Sequence, residues 1–233
     1  DHLLPQELLG LTATPERADG ERVQDAFFEG RIASELRLWD AMDQALLSPF
    51  DYFGIGEDRK TVDYSQVEVT GSGSYKTSSL SNALTGNDLR DFLLLREMKS
   101  KVSNFSTMKA LFFCVDQKHA NYVAALLQEK AGIQAVAVTD KTPGEERSAA
   151  QANLLAGKIQ AIASVDVFNE GVDLPEVDTI VMLRPTESPV VFLQQLGRGL
   201  RLAKGKTNVT VLDFIGAHKG EYRLDRKLGA LLG

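Results

Sequence analysis

The sequence predicts a three-layer α/β domain with a mainly parallel sheet over about residues 34–216, and three observations carry that expectation. Short runs that are apolar throughout recur at 109–115, 133–138, 159–165, 178–183 and 207–213. Helix-like stretches at about 117–131, 144–156 and 189–202 alternate with them. Strands apolar on both faces and separated by helices belong to a parallel sheet covered on both sides. Third, 233 residues at 43% hydrophobic and 25% charged are ordinary globular values, with chain enough for a core.

The elements follow in order. Residues 7–12 are a short apolar run that opens at Pro15 into a loop, the pattern of a buried strand. Ile32, Leu36, Trp39, Met42 and Leu46 stand near helical spacing, so a helix is expected over 33–47, ended by Ser48-Pro49. Phe50–Ile55 reads as a strand. From Gly56 to Thr85 the pattern dissolves into Gly, Ser, Thr and acids, a long loop or insertion with little core of its own. Asn87 caps a helix that runs to about Val102. The connection over 165–178 is mostly loop, and no repeat of 20–50 residues is present.

Composition narrows the function. No stretch approaches the ~18 consecutive apolar residues of a membrane span, so no membrane partner is expected. Cys114 is the single cysteine, which excludes an internal disulfide and suits a reducing, cytoplasmic setting. His2, His119 and His218 are scattered and form no metal-ligand cluster. There is no signal-peptide pattern, and a start at Asp1 inside an apolar segment reads as an excised piece of a longer chain. The net charge of −6 conceals an asymmetry: residues 184–233 carry nine basic groups against four acids, leaving −11 for residues 1–183. A basic quarter on an acidic protein can hold an anion locally, although a solvated basic surface explains the charge equally well.

In a parallel α/β sheet, ligands gather beyond the carboxyl ends of the strands. The segments there are Thr12-Ala13-Thr14-Pro15, Val165 to Pro175, and Arg184 to Ser188, the last leading into Gln194-Gln195-Leu196-Gly197-Arg198-Gly199-Leu200-Arg201. Gln194, Arg198 and Arg201 share one helical stripe. Gly197 and Gly199 remove side-chain bulk beside the arginines, at about 1 kcal/mol of helix propensity each. Two guanidiniums on such a stripe suit a polyphosphate. Salt-bridged surface arginines with glycines at a close helix contact would give the same pattern.

Together these segments resemble the second RecA-like domain of superfamily 2 helicases and translocases, over residues 7–16 and about 100–216. Leu11-Thr12-Ala13-Thr14-Pro15 looks like motif III, Leu111–Val115 like motif IV, Phe168–Pro175 like motif V, and Gln194–Arg201 like motif VI. The flavour is similar to the restriction-subunit branch, although motif VI there usually begins with His where this chain has Gln194. Residues 27–50, following Leu11–Arg17, are similar to bacterial helicases that carry a phospholipase-D-like nuclease module. The resemblance implies three regions: 1–33, a remnant of the first RecA-like domain; 34–216, the second; and 217–233, a basic tail.

The same resemblance implies roles. Arg201 looks like the arginine finger that reaches the γ-phosphate of ATP, with Arg198 its phosphate-contacting companion and Gln194 nearby. Gly171 and Asp173 look like the turn and carboxylate of motif V. Glu170 looks like either a partner of Arg198 or a residue near nucleic acid. Thr12 and Thr14 look like the residues coupling nucleotide state to strand binding. Thr139, Thr142, Ser164 and Arg184 are candidate nucleic-acid contacts, with DNA more expected than RNA.

ATP and Mg²⁺ in this family need a Gly-Lys-Ser/Thr loop and an acidic box. The glycine-rich string Gly71-Ser72-Gly73-Ser74-Tyr75-Lys76-Thr77 has Tyr75 where a glycine is required, and reads as a surface loop opening no helix. The resemblance therefore implies half an ATP site, completed by the first RecA-like domain. Two rivals stand beside it: a non-catalytic protein- or nucleic-acid-binding module of this fold, and the nucleotide-sugar half of a glycosyltransferase, where paired arginines would be out of place.

Overall fold

The computed structural model describes residues 7–10, 12, 22–71, 74–165, 174–185, 188–216 and 229. Two short helices, α1 (Val23–Phe27) and α2 (Leu38–Asp43), precede a six-stranded sheet. Its strands are β1 (Phe50–Glu57), β2 (Ala110–Phe113), β3 (Ala135–Val138), β4 (Ala161–Ser164), β5 (Thr179–Met182) and β6 (Val209–Gly216). They lie in the order β1-β6-β5-β2-β4-β3, and every pairing is parallel. Between them run α3 (Thr77–Leu84), α4 (Asp88–Lys101), α5 (Gln117–Ala131), α6 (Gly144–Leu155) and α7 (Pro189–Gly199).

Period-two alternation divides the strand side chains between two cores. Phe112, Ala163, Val181 and Leu212 face α4 and α5, where Leu94, Met98, Val123 and Leu127 cover them. Leu111, Ile162, Ile180 and Val211 face the other way, onto Leu154 of α6 and Phe192 and Leu196 of α7. The sheet is thus the middle of three layers, as its doubly apolar strands require. Side-chain caps begin α4 and α5: Asn87 accepts from the Arg90 N–H at 3.2 Å, and Asp116 from the His119 N–H at 2.8 Å. Gly132, at φ +68°, ends α5 with its N–H returned to the last turn.

Three expectations change. The helix expected over 33–47 shrinks to six residues, because its apolar stripe has nothing to cover it: Ile32, Leu36 and Leu46 are all more than half exposed. Among the described residues of 7–12 no strand forms, and Leu8 and Leu9 are exposed. The stretch 56–85 is more than a loop. Val62, Tyr64, Val67, Leu80 and Leu84 close a small core with Val115, and α3 lies within that stretch. Polar spacing hid this core, since its apolar residues follow no single period.

Candidate functional site

Ser188 caps α7 by accepting from the Val191 N–H, and Pro189 sets the first turn. Phe192, Gln195, Leu196 and Gly199 turn inward and are buried. That leaves Gln194, Gly197 and Arg198 half-buried on the outward side, with Arg201 exposed just past the helix. The two glycines serve different ends. A Cβ at Gly199 would stand 2.8 Å from Ile180 Cδ1 and 2.9 Å from Val209 Cγ1, so its absence lets α7 seat on β5 and β6. At Gly197 nothing lies within 4 Å of that position, and the stripe stays open beside the arginines.

This stripe extends away from the strands' carboxyl ends, where the candidate loops lie. A helix joining neighbouring parallel strands must run back toward their amino ends. α7 starts beyond β5 and returns about 16 Å over 11 residues. Its end meets Ser48, two residues before β1, whose N–H donates to Leu200 O at 2.7 Å and whose Oγ donates to Arg201 O at 3.2 Å. Lys206 Nζ donates to Gly199 O at 2.8 Å. Gln194, Arg198 and Arg201 therefore line the flank of the domain toward the amino edge.

The carboxyl edge holds the other candidates. Ser164 is fully buried and its Oγ donates to Phe112 O at 3.3 Å. Thr139 is buried too, its hydroxyl accepting from the Lys141 N–H while Thr142 Oγ1 accepts from its own N–H. These hydroxyls shape the loops from within. Arg184 is half-buried at the end of β5, and Thr12 is exposed. Thr14, Glu170, Gly171 and Asp173 lie outside the described residues.

The string around Lys76 does open a helix, α3, contrary to expectation, yet its described residues are engaged elsewhere. Val69 and Tyr75 bridge as an antiparallel pair, Tyr75 tilts against Tyr64, and Lys76 is paired with Glu68 at 2.8 Å.

A buried polar hub at the carboxyl edge escaped the sequence reading. Arg90 of α4, 2% exposed, donates Nε to Glu57 Oε1 at 2.6 Å and Nη2 to Leu183 O at 3.2 Å. Its Nη1 lies 3.3 Å from His119 Nε2, and His119 Nδ1 accepts from the Val115 N–H at 3.2 Å. Tyr64 donates its hydroxyl proton to the other Glu57 oxygen. Burial, then the Arg90 guanidinium, holds His119 well below its ordinary range. Burial also pushes the neighbouring Cys114 thiol up, so it packs as an inert side chain. The hub ties together the ends of β1, β2 and β5.

Residues 88–203 match the helicase conserved C-terminal domain family. Among curated proteins, a 51.5 kDa protein of a Lactococcus phage (isolate 7-9) is 29% identical over 213 residues, 90% of this chain and 44% of that protein. DNA 3'-5' translocase XPB2 of Sulfurisphaera tokodaii is 23% identical over 248 residues, 94% of this chain and 55% of that protein. Among solved structures, the ATP-dependent Type ISP restriction-modification enzyme LlaBIII bound to DNA superposes with a TM-score of 0.62 at 16% identity, covering 96% of this chain and 17% of that one. The matched region is thus similar to helicase C-terminal domains, and the α/β fold with its all-parallel sheet is similar to the RecA-like fold of such domains. The chain spans about half or less of the relatives it matches. Among the described residues, no helix is long and apolar enough to cross a membrane, and no group of three metal-ligating side chains is present.

Proposed function

We propose that this chain is the second motor domain of an ATP-dependent DNA helicase or translocase of the restriction-subunit branch, acting in the bacterial cytoplasm. One observation carries the reading: Gln194, Gly197, Arg198 and Arg201 line one side of the end of α7, with space left beside Gly197, and Gly199 packing on the sheet holds that end in place. An ATP held on a preceding RecA-like domain would meet that stripe when the two domains close. Gln194 and Arg198 then orient its phosphates, and Arg201 places a guanidinium where charge builds on the transferring phosphoryl group. The ATP supplies the phosphoryl chemistry, and Mg²⁺ is assigned to the partner domain. Gly171 and Asp173 complete the nucleotide side, while Thr12, Thr14 and Glu170 couple it to the strand. DNA is favoured over RNA by the names of XPB2 and LlaBIII, and a phospholipase-D-like nuclease is the flanking module we expect.

The test is Arg201→Lys in the full-length protein. Lysine keeps the charge but loses the planar fork. DNA-stimulated ATP turnover should fall by about 10³ or more, as for fingers elsewhere. The melting temperature should hold, because the side chain is exposed. Near-normal turnover, or a large drop in melting temperature, would make Arg201 a structural residue.

A further inference from the structure

We propose that Lys206 is a positioning residue for Arg198 and Arg201: its ammonium ties the last turn of α7 to the end of the β4–β5 connection. The inference rests on the nucleotide-facing reading of α7. A helix end leaves its final carbonyls without partners from the helix itself. Here three consecutive ones are met from outside, Gly199 O by Lys206 and the carbonyls of Leu200 and Arg201 by Ser48. Lys206 Nζ also donates to Pro175 O at 2.5 Å and to Val177 O at 3.1 Å. An ammonium has three donors, and all three are in use.

The acceptors come from two separate stretches. Pro175 and Val177 follow directly on the segment that carries Gly171 and Asp173, and Gly199 sits between the two arginines. Glycines at 197 and 199 make the last turn of α7 a poor helix by its own propensity. The arginines therefore stand where external contacts hold that turn. Gly205, at φ +84°, takes the left-handed conformation that turns the chain back and brings Lys206 beneath the helix end. A cation there also suits the negative end of the helix dipole.

Lys206 borders a polar cleft of about 450 Å³ at the amino edge, shared with Lys109, Glu176, Asp178 and Lys204. Lys109 is engaged with Glu176 and with Leu155 O. Burial lowers Lys206 to about 8, and Asp178 opposes the change. The clamp accordingly loses one of its three N–H donors at mildly alkaline pH.

The test is steady-state, DNA-stimulated ATP hydrolysis by the full-length protein and its Lys206→Met, Ser48→Ala, Arg201→Ala and Arg201→Ala/Lys206→Met variants. Lys206→Met should lower kcat by about 10- to 10²-fold, the scale of a misplaced catalytic group, with KM for ATP within about twofold. On the Arg201→Ala background it should cost clearly less than on the wild type, because the part that acts through that arginine is already gone and only the part through Arg198 is left. Wild-type kcat should decline about threefold from pH 7 to 9, and the Lys206→Met profile should be flat there. Ser48→Ala, which removes a single hydroxyl, should show the same kcat-only change at about threefold. It carries the test should Lys206→Met fold poorly. A full additional loss on the Arg201→Ala background, or a change confined to KM, would overturn the role of Lys206. Normal turnover by Arg201→Ala would overturn the nucleotide-facing reading, and the clamp with it.

Discussion

Arg90 stands on α4 where the four-residue repeat of buried positions, Arg90, Leu94 and Met98, calls for an aliphatic side chain. A charge in that place needs partners on every side, and Glu57, Leu183 O and His119 provide them. A second proton on His119 would have to share this space with the guanidinium. Below about pH 6.5 the unfolded chain's histidine takes up a proton and the folded one does not. This contribution to stability is therefore complete above that pH and is lost as pH falls. The loss approaches ~1.4 kcal/mol per pH unit for a single proton. Urea unfolding at pH 7, 6 and 5 should give a steeper decline for the wild type than for His119→Gln. Equal slopes would mean that the ring titrates freely. Arg198 and Arg201 were legible because charge and spacing together mark them. Arg90 broke an apolar stripe in plain view, but its partners stand 33, 29 and 93 residues away, beyond any local pattern.

At the scale of the element, boundaries set by local chemistry were the readable ones. Asp116 and Gly132 bracket α5 at the residues expected from the sequence, 117–131. The four strands β2, β3, β4 and β5 are shorter than their apolar runs, whereas β1 and β6, which pair with each other over eight residues, run past theirs. The direction of α7, which carries Arg198 away from the carboxyl edge, follows from the connection between parallel strands and not from any local pattern. The glycines of this helix permit a paired test. Gly199→Ala forces Val209, whose branched side chain is stiff, to yield; the overpacking costs ~1–3 kcal/mol, offset by up to ~1 kcal/mol of helix propensity. A net loss of about 1–2 kcal/mol by urea denaturation is expected. Gly197→Ala, with open space around it, should instead gain up to ~1 kcal/mol. Equal effects at the two sites would contradict the split between a packing glycine and an open one.

For the whole molecule, the phosphate side is one-handed: arginines that receive, and no loop to hold, since the lysine of the Gly205-Lys206-Thr207 string is taken up by three backbone carbonyls. Purified alone, this chain should hydrolyse ATP far below the ~1 s⁻¹ of ordinary enzymes, with or without DNA. Turnover at that rate from clean protein would show that the half-site argument fails. The layered fold was readable from the sequence because doubly buried strands declare themselves. The small core over 62–84 was not, because it is assembled from residues that share no period and meets the sheet through Val115.

The strand order has a practical consequence for anyone trimming this protein. The family match covers residues 88–203, yet β1 and β6 lie outside it and pair with each other in register from Phe50↔Val209 to Glu57↔Gly216. Cutting to the matched region would leave β5 as an open edge, Thr179-Ile180-Val181-Met182, with no charge to deter a second chain from adding to it. It would also strand Arg90 without Glu57. Expressed that way, the protein should accumulate in inclusion bodies, whereas a version reaching from before Ser48 to beyond Gly216 should stay in the soluble fraction. The gel that separates the two would locate the working boundary of the domain some forty residues ahead of where the family match begins.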